Sequence, residues 1–367
     1  MSFSETPIVS STLKLAKVVN NTRLEAETPS MKLIREVWPV ILNALFLLVI
    51  VAIFYSGSMK VPLTEGLIRV SIVVALYIFV GNSGILSFGH IAFMMIGAYA
   101  SAWQTCCEYT RDLFFPGIPS YLLENTHPFI PSVILGGLLA SFVALITGFA
   151  LMRLSGIAAS IGTFALLMII YTVYLRWQTW TAGNSTVTGI PFDTNAWNAL
   201  AFCVITMFAA FLYSRSKWGL ALRSTREDEV AAKAAGVNIF GQRLIAFVIS
   251  AFFAGVAGGF YGHFLGTITV PSFHLPLTFI TLAMLVVGGM QSLSGAVIGT
   301  IAVTAFLQLL RWFETNGWIP SSSADMGLGV VLLLVLIFRR SGITGNAEIY
   351  YPFKPDAAAS GSVKRQS

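Results

Sequence analysis

Histidines and cysteines are the residues in this sequence that could bind a metal or act as nucleophiles, and their spacing forms neither kind of site. Two metal-binding histidines on one helix face stand four residues apart, and no pair here has that spacing. No CxxC pair occurs, so neither a zinc site nor a redox pair is predicted. The residues concerned are His90, His127, His263, His274, Cys106, Cys107 and Cys203.

The sequence also lacks the short motifs that mark common hydrolytic and nucleotide-binding sites. It contains no GxxxxGKS/T phosphate loop, no GxSxG nucleophile elbow and no HExxH zinc motif. We therefore predict that the chain is not an enzyme, does not hydrolyse ATP itself, and holds no catalytic residue, metal or cofactor.

The elements that must position any other site are apolar. Only 10% of the 367 residues are charged, against about a quarter in a soluble protein, and the mean hydropathy is +0.79. This composition excludes a soluble globular enzyme and a disordered chain. The apolar runs are solid rather than alternating, which favours helices over a membrane β-barrel. Seven stretches lack Lys, Arg, Asp and Glu altogether, namely 37–59, 70–107, 125–152, 154–175, 194–214, 244–310 and 326–338.

These stretches predict an all-α fold, a polytopic transmembrane helical bundle of about 10 spans (8–10). A span needs about 20 mostly apolar residues, and the eighth and tenth segments are shorter than that. GxxxG pairs at Gly255/Gly259 and Gly295/Gly299 predict close helix packing. The predicted spans are 37–55, 65–81, 88–106, 130–152, 157–175, 197–213, 244–265, 277–289, 293–311 and 325–338.

The basic residues predict the orientation. Of the 22 Lys and Arg residues, 17 fall in the N-terminal tail, the loop 214–243, the turn at Arg153 and the segment from Arg339 onwards. Even numbers of spans separate the tails from that loop, so all three are expected on the cytoplasmic side. The predicted domains are a cytoplasmic tail 1–36, a membrane domain 37–340 and a cytoplasmic tail 341–367. Since these cations flank apolar runs, the expected partner is membrane lipid, and no nucleic-acid partner is expected.

The loop 214–243 is predicted to contain a short helix of about two turns. The hydroxyls of Ser224 and Thr225 are expected to cap it, the acids 227–229 suit its first turn, and Gly236 is expected to end it. One interpretation is a docking helix whose small side chains fit a groove in a cytoplasmic partner. The alternative is a solvated connector. The small residues are Ala231, Ala232, Ala234 and Ala235.

Two segments rich in glycine interrupt the apolar runs. In 80–90 the breaks fall at Gly81, Gly84 and Gly89, and 287–295 contains Gly288 and Gly289. A helix break at membrane depth must be buried in protein or line a wet cavity, and paired breaks point to a midplane pathway.

The two segments also resemble each other. Each contains Val-Gly followed at the same spacing by Leu-Ser, which suggests an internal repeat. Ser87 and His90 in the first break could offer polar contacts to a zwitterion. The alternative is that both segments are loops joining neighbouring spans.

The membrane segments offer no row of acids for coupling to an ion gradient. Glu65 and Arg69 lie near a span end, and 244–310 contains no acid at all. A self-powered secondary transporter is therefore disfavoured, and energy is expected to enter through a cytoplasmic partner.

Four segments together resemble the M-type membrane permeases of ATP-binding-cassette importers for branched-chain amino acids. The block 216–263 is the most specific of them, and with the hydropathy profile the resemblance spans about 65–340. The segments are GILSFGHIAFMMIGAYASA (84–102), TAGNSTVTGIP (181–191), SKWGLALRSTREDEVAAKAAGVNIFGQRLIAFVISAFFAGVAGGFYGH (216–263) and LVVGGMQSLSGAVIGT (285–300).

The resemblance implies that the loop 214–243, called the coupling loop from here on, carries a helix that seats in an ATPase subunit. The family has an E-A-A-x-x-x-G pattern there, in which Val230 occupies the Glu position and Glu229 stands one residue early. The residues expected to contact the ATPase are Glu227, Asp228, Glu229, Ala231, Ala232 and Gly236. Those expected to form the translocation pathway are Gly81, Gly84, Ser87, His90, Gly288 and Gly289.

The resemblance also implies partners and a location. They are a second permease subunit in a heterodimer, two cytoplasmic ATP-binding subunits and an extracytoplasmic substrate-binding protein, at the bacterial plasma membrane. Relatives of this kind also serve urea, short-chain amides and other amino acids, so the substrate stays open. An ATP-independent channel or facilitator and a non-transport scaffold are the rival interpretations.

Overall fold

The computed structural model describes residues 29–55, 59–107, 111–119, 126–318, 320, 327, 329 and 342–345. Within these ranges the chain forms thirteen α-helices, one 3₁₀ helix and one two-stranded antiparallel sheet. The helices are α1 Pro29–Phe54, α2 Lys60–Ser83, α3 His90–Thr105, α4 Arg111–Phe114, α5 Phe129–Leu151, α6 Gly156–Arg176, α7 Gln178–Thr181, α8 Ala196–Arg215, α9 Lys217–Glu227, α10 Glu229–Ala234, α11 Ile239–Leu265, α12 Leu275–Gly288 and α13 Leu293–Thr315. The strands are β1 Val187–Thr188 and β2 Thr267–Ile268, and the 3₁₀ helix is Val270–Phe273.

Backbone contacts divide the chain into two units. One comprises 1–42 and 349–367, of which the structure describes 29–42, the first half of α1. The other, 43–348, contains all the remaining described elements.

Eight of the described helical segments are long and apolar enough to cross a membrane, so the chain is a multi-pass membrane protein with an all-α fold, as predicted. Eight of the ten predicted spans correspond to them, and the tenth, 325–338, lies almost entirely outside the described residues. The segments are Val37–Phe54, Lys60–Ser83, Phe129–Leu151, Gly156–Arg176, Ala196–Arg215, Ile239–Leu265, Val270–Gly288 and Leu293–Thr315.

The third predicted span, 88–106, is the exception. It forms α3, whose 16 residues are about 24 Å long, less than the roughly 30 Å hydrocarbon thickness. Every residue of α3 except Trp103 is buried, because α5, α11 and α6 pack around it. This helix is therefore shielded by protein along almost its whole length.

Glycines let three backbones meet at the centre of the bundle. A Cβ on Gly97 of α3 would overlap the backbone of Gly255 in α11, and one on Gly136 of α5 would lie 2.7 Å from the Gly97 carbonyl oxygen. Gly258 of α11 packs against the Met94 carbonyl of α3 in the same way. Since lipid tails give helices no hydrophobic reason to associate, this close packing is a main source of their attraction.

Helices α5 and α6 each turn one side to the outside of the bundle. Only about a third or less of each is buried. Large apolar side chains such as Phe142, Ile146, Ile157 and Ile161 point outwards. Such faces are stable against hydrocarbon and indicate the lipid-facing side.

The adjacent cysteines Cys106 and Cys107 at the end of α3 hold their sulfurs side by side. The helix ends at Thr105, and the extended Cys106 followed by Cys107 at φ +49° brings the two sulfurs together. The turn also places both sulfurs against the carbonyl of Thr188 in β1.

The glycine contact at the centre of the bundle predicts the effect of a single methyl group. We expect Gly97→Ala to destabilise the protein by about 1–3 kcal/mol, because the new methyl overlaps the backbone of Gly255. The matched control is Gly66→Ala in α2, where a Cβ would make an ordinary 3.6 Å contact with Thr304. Thermal unfolding in detergent compares the two, and equal melting temperatures would contradict this account of the core.

Candidate functional site

The coupling loop folds into two helices, α9 and α10, rather than the single two-turn helix that the sequence predicted. Ser216 begins α9, since its Oγ accepts from the Gly219 N–H at 3.2 Å. Asp228 begins α10, since its Oδ1 accepts from the amides of Val230 and Ala231 at 2.9 and 3.0 Å. A carboxylate at this position satisfies two free amides and suits the positive end of the helix dipole.

The prediction that Ser224 and Thr225 cap the short helix was therefore wrong. Both lie inside α9, where their hydroxyls donate to the carbonyls of Ala221 and Leu222 at 2.7 Å. The chain becomes extended only at Asp228, with φ −151° and ψ 110°. Both hydroxyls already bond to carbonyls of α9, and the residue that caps the next helix is therefore Asp228, where α9 has ended.

Gly236 ends the second helix, as predicted. It has φ +83°, and its N–H donates to the Lys233 carbonyl at 3.0 Å. Nothing lies within 4 Å of the position of a Cβ. The position therefore favours glycine for its left-handed backbone and not for lack of space.

The two helices expose most of the residues expected to dock a partner. Glu227, Asp228, Glu229 and Ala231 are exposed, and so is Gly236. Ala232 differs, because it is only 5% exposed and faces its own chain.

Val230 is 80% exposed, an unusual position for a large apolar side chain outside the membrane segments. The sequence had identified Val230 only as a departure from the family pattern. Its exposure makes it the most prominent apolar feature of the loop.

A buried arginine fixes α10 to the bundle. Arg243 of α11 is 4% exposed, and its Nη2 lies 3.0 Å from Glu229 Oε2. Its Nη1 donates to the Leu154 carbonyl, in the turn between α5 and α6, at 3.3 Å. Glu229 therefore has a partner within its own chain, and the guanidinium holds three elements together.

An open cleft of about 790 Å³ lies beside this ion pair. Its charged lining residues are Arg153, Lys233, Arg243 and Glu229, so cations outnumber anions. Arg153 also stacks over the ring of Phe149, 4.8 Å from its centroid. A cleft of this charge next to exposed helices suits an acidic surface of a protein partner.

The first glycine break lies at the positions that the sequence indicated, and it is a loop joining two consecutive helices, the alternative that the sequence had left open. Helix α2 ends at Ser83, Gly84 has φ +73°, and α3 begins only at His90. Gly81 lies within the last turn of α2. The 24 residues of α2 extend for about 36 Å before the break, so a full span precedes it.

His90 fastens this break to a neighbouring helix. Its Nδ1 and Nε2 lie 2.8 Å from the hydroxyls of Ser87 and of Ser250 in α11, and His90 and Ser87 are buried. The amide of Phe88 donates to Thr163 Oγ1 of α6 at 3.2 Å. In this conformation the side chains of His90 and Ser87 and the amide of Phe88 are therefore bonded within the protein.

The second break is closed by a distant segment. Gly288 ends α12 and Gly289 follows with φ +123°. The freed carbonyls accept from the amide of Ile343 at 2.8 Å, to Val287, and from Thr344 Oγ1 at 2.9 Å, to Gly288. The carbonyl-rich end of α12 is thus capped by residues more than fifty positions away.

The two breaks meet. A Cβ on Gly81 would lie 2.8 Å from the carbonyl oxygen of Met290, between the second pair of glycines and α13. The repeat is imperfect, because Leu86 and Ser87 precede α3 whereas Leu293 and Ser294 begin α13. The structure thus brings into contact, at Gly81 and Met290, the two glycine segments that the sequence assigned to a pathway.

Two arginines of the site were missed by the sequence interpretation. Arg243 holds Glu229, and Arg226 of α9 donates from Nη1 to the Gly81 carbonyl at 2.7 Å. Neither was singled out, because the partners lie 14 and 145 positions away. A contact between a basic residue of a loop and a distant helix end produces no periodic pattern in the sequence by which it could be predicted.

Among the described residues, no three His, Cys, Asp or Glu side chains come close enough to hold a metal ion. The site can act mechanically. It joins the exposed helices α9 and α10 to the point where the two glycine breaks touch.

Comparison with known proteins shows the family to which the chain is related. The family described as "Branched-chain amino acid transport system / permease component" matches residues 62–338. The "High-affinity branched-chain amino acid transport system permease protein LivM" of Salmonella typhimurium is 25% identical over 321 residues, which cover 78% of this chain and 70% of the relative. The Escherichia coli protein of the same description is 26% identical over 314 residues, 76% and 68% of the two chains.

A second kind of relative aligns over a shorter region. The permease protein LivH of the Salmonella typhimurium system is 30% identical over 151 residues, 41% of this chain and 46% of the relative. No solved structure matches the chain. The family match runs from the first turn of α2 to the end of the last predicted span, and the chain therefore belongs to the permease components of branched-chain amino acid transport systems.

Proposed function

We propose that this chain is the permease subunit of an ATP-binding-cassette importer that carries branched-chain amino acids across the membrane by alternating access. The observation that carries the proposal is the exposed pair α9 and α10 in a chain of this family. The sequence contains no phosphate-binding loop, so a subunit that hydrolyses ATP needs a surface on which to act.

The partners follow from the same reasoning. In Salmonella typhimurium, LivM and LivH are both described as permease proteins of a high-affinity branched-chain amino acid transport system, which supports a second permease as the heterodimeric partner. Two cytoplasmic ATP-binding subunits and an extracytoplasmic substrate-binding protein complete the proposed importer. ATP hydrolysis is assigned to those subunits and not to this chain.

The proposed location is the bacterial plasma membrane, with both termini in the cytoplasm. The concentration of Lys and Arg in the tails and in the coupling loop supports this orientation. The proposed domains are the tails 1–36 and 341–367 on either side of the membrane domain 37–340.

The proposed docking surface is the exposed side of the two coupling helices. It comprises Glu227, Asp228, Glu229 and Ala231, with Gly236 at its edge, and Val230 adds an apolar contact. Ala232 supports the surface from behind, because it is buried against its own chain.

The proposed pathway passes the two glycine breaks. Gly81 and Gly84 shape the first, Gly288 and Gly289 the second, and the breaks touch. The hydroxyl of Ser87 and the ring of His90 are bonded within the protein in the described conformation. In the other state of an alternating-access cycle they are released to face the substrate, and ATP binding biases that exchange by contacting one state more than the other. The pathway residues are Gly81, Gly84, Ser87, His90, Gly288 and Gly289.

Transport by the assembled complex tests the function. We expect proteoliposomes containing both permeases, the ATP-binding subunits and the binding protein to take up radiolabelled leucine only with ATP. Unlabelled isoleucine and valine should compete, whereas urea and acetamide should not. Uptake by this chain alone without ATP would show a facilitator, and competition by urea or acetamide would reassign the substrate.

Crosslinking tests the docking surface. A Val230→Cys variant should crosslink to an ATP-binding subunit in the complex, because this side chain is 80% exposed. The matched control is Ala232→Cys, two residues away on the same helix and buried. Equal crosslinking at both positions, or crosslinking at neither, would contradict the proposed surface.

Thiol labelling tests the pathway. In a chain whose native cysteines are replaced by alanine, Ser87→Cys should react slowly with N-ethylmaleimide in the resting complex, because the site is 1% exposed. Labelling should become faster when ATP and loaded binding protein are added. Ser101→Cys is the control, since this serine of α3 is fully buried and lies away from the break. Labelling at Ser87→Cys that never changes would remove this residue from the pathway.

A further inference from the structure

Arg226 joins the coupling loop to the first glycine break. It lies in the last turn of α9, and its Nη1 donates to the carbonyl oxygen of Gly81 at 2.7 Å, across 145 positions of sequence. The Arg226 side chain is only 17% exposed. The contact therefore holds two distant elements together where solvent competes little.

The acceptor is a carbonyl that the break itself sets free. In a continuous helix the amide of Ile85 would bond to the carbonyl of Gly81, four residues earlier. Here that amide donates instead to Ser83 Oγ at 3.2 Å. Arg226 thus takes the place of the helical partner that Gly81 loses when α2 ends.

Gly84 leaves room for the arginine. A Cβ on this residue would lie 2.6 Å from Arg226 Cγ, and its backbone has φ +73°. The absence of a side chain therefore serves both the turn and the passage of the guanidinium stem. Gly81 in turn touches the second break, where a Cβ would lie 2.8 Å from the Met290 carbonyl oxygen.

The other side of the guanidinium faces the docking surface. Its Nη2 and Nε lie 2.7 and 3.1 Å from Glu227 Oε1, and the Glu227 side chain is 72% exposed. Glu227 immediately precedes Asp228, the cap of α10. The planar fork of one arginine thus bridges an exposed acid of the coupling loop and a buried carbonyl of the break.

We infer that Arg226 is a positioning residue that transmits movement of the coupling helices to the two glycine breaks. The inference rests on the function proposed above. A partner that shifts Glu227 or α10 moves the guanidinium, and the guanidinium moves the end of α2 at the point where both breaks touch.

The first experiment measures coupling in the reconstituted importer. Arg226→Ala should leave co-purification of the ATP-binding subunits and their hydrolysis rate within about twofold of the unaltered complex. The ATP hydrolysed per leucine transported should rise about tenfold, the factor expected when one charged hydrogen bond is lost. Arg226→Lys should recover part of the loss, since an ammonium can reach the carbonyl but cannot bridge both partners.

Arg223→Ala is the matched control. Arg223 lies one turn earlier on α9, and its guanidinium donates to the carbonyl of Ser214 at the end of α8 rather than to the break. Its loss should leave the ATP-to-leucine ratio unchanged. An unchanged ratio in Arg226→Ala, or an equal rise in Arg223→Ala, would overturn the inference.

The second experiment needs no transport and separates the two proposals. Hydrogen exchange of the full chain in detergent should be about tenfold faster at the amides of 84–89 in Arg226→Ala, and unchanged in Arg223→Ala. Equal exchange in all three proteins would refute the link even if the importer works. Faster exchange together with no ATP-dependent uptake by the unaltered complex would keep the link and refute the proposed function.

Discussion

A backbone group that a helix end leaves buried without its helical partner must find another partner in the protein. The site of this permease is organised around that constraint. The carbonyl of Gly81 accepts from Arg226, the carbonyl of Gly288 accepts from Thr344, and the amide of Phe88 donates to Thr163. The residues that satisfy the breaks come from other elements, so each break ties distant parts of the chain together.

Glycine makes this arrangement possible in two different ways. At Gly84, Gly236 and Gly289 the backbone has a positive φ that other residues adopt at a cost. At Gly97 the conformation is helical, and what matters is the approach of α11. A bundle assembled by such contacts has discrete packings rather than continuous deformation, and the proposed alternating access depends on that property.

The sequence predicted the fold well and the site in part. Runs without charge located eight of the membrane segments, because hydropathy acts over twenty residues and tolerates local detail. The glycine breaks were found for the same reason, as interruptions of long runs. The prediction that Ser224 and Thr225 cap the helix was wrong. Which of several neighbouring polar residues caps α10 depends on where α9 ends, and tertiary packing determines that end. Arg226 and Arg243 were missed because their partners are close only in the folded chain.

The shielding of α3 has a consequence for biosynthesis. This helix is shorter than a membrane span, and its single glycine, Gly97, lets it fit against α11, which begins about 130 residues after α3 ends. While the ribosome makes that intervening chain, α3 can pack against α5 and α6 but not yet against α11. The face of α3 that carries Gly97 therefore lacks its partner until α11 arrives to close the bundle around it.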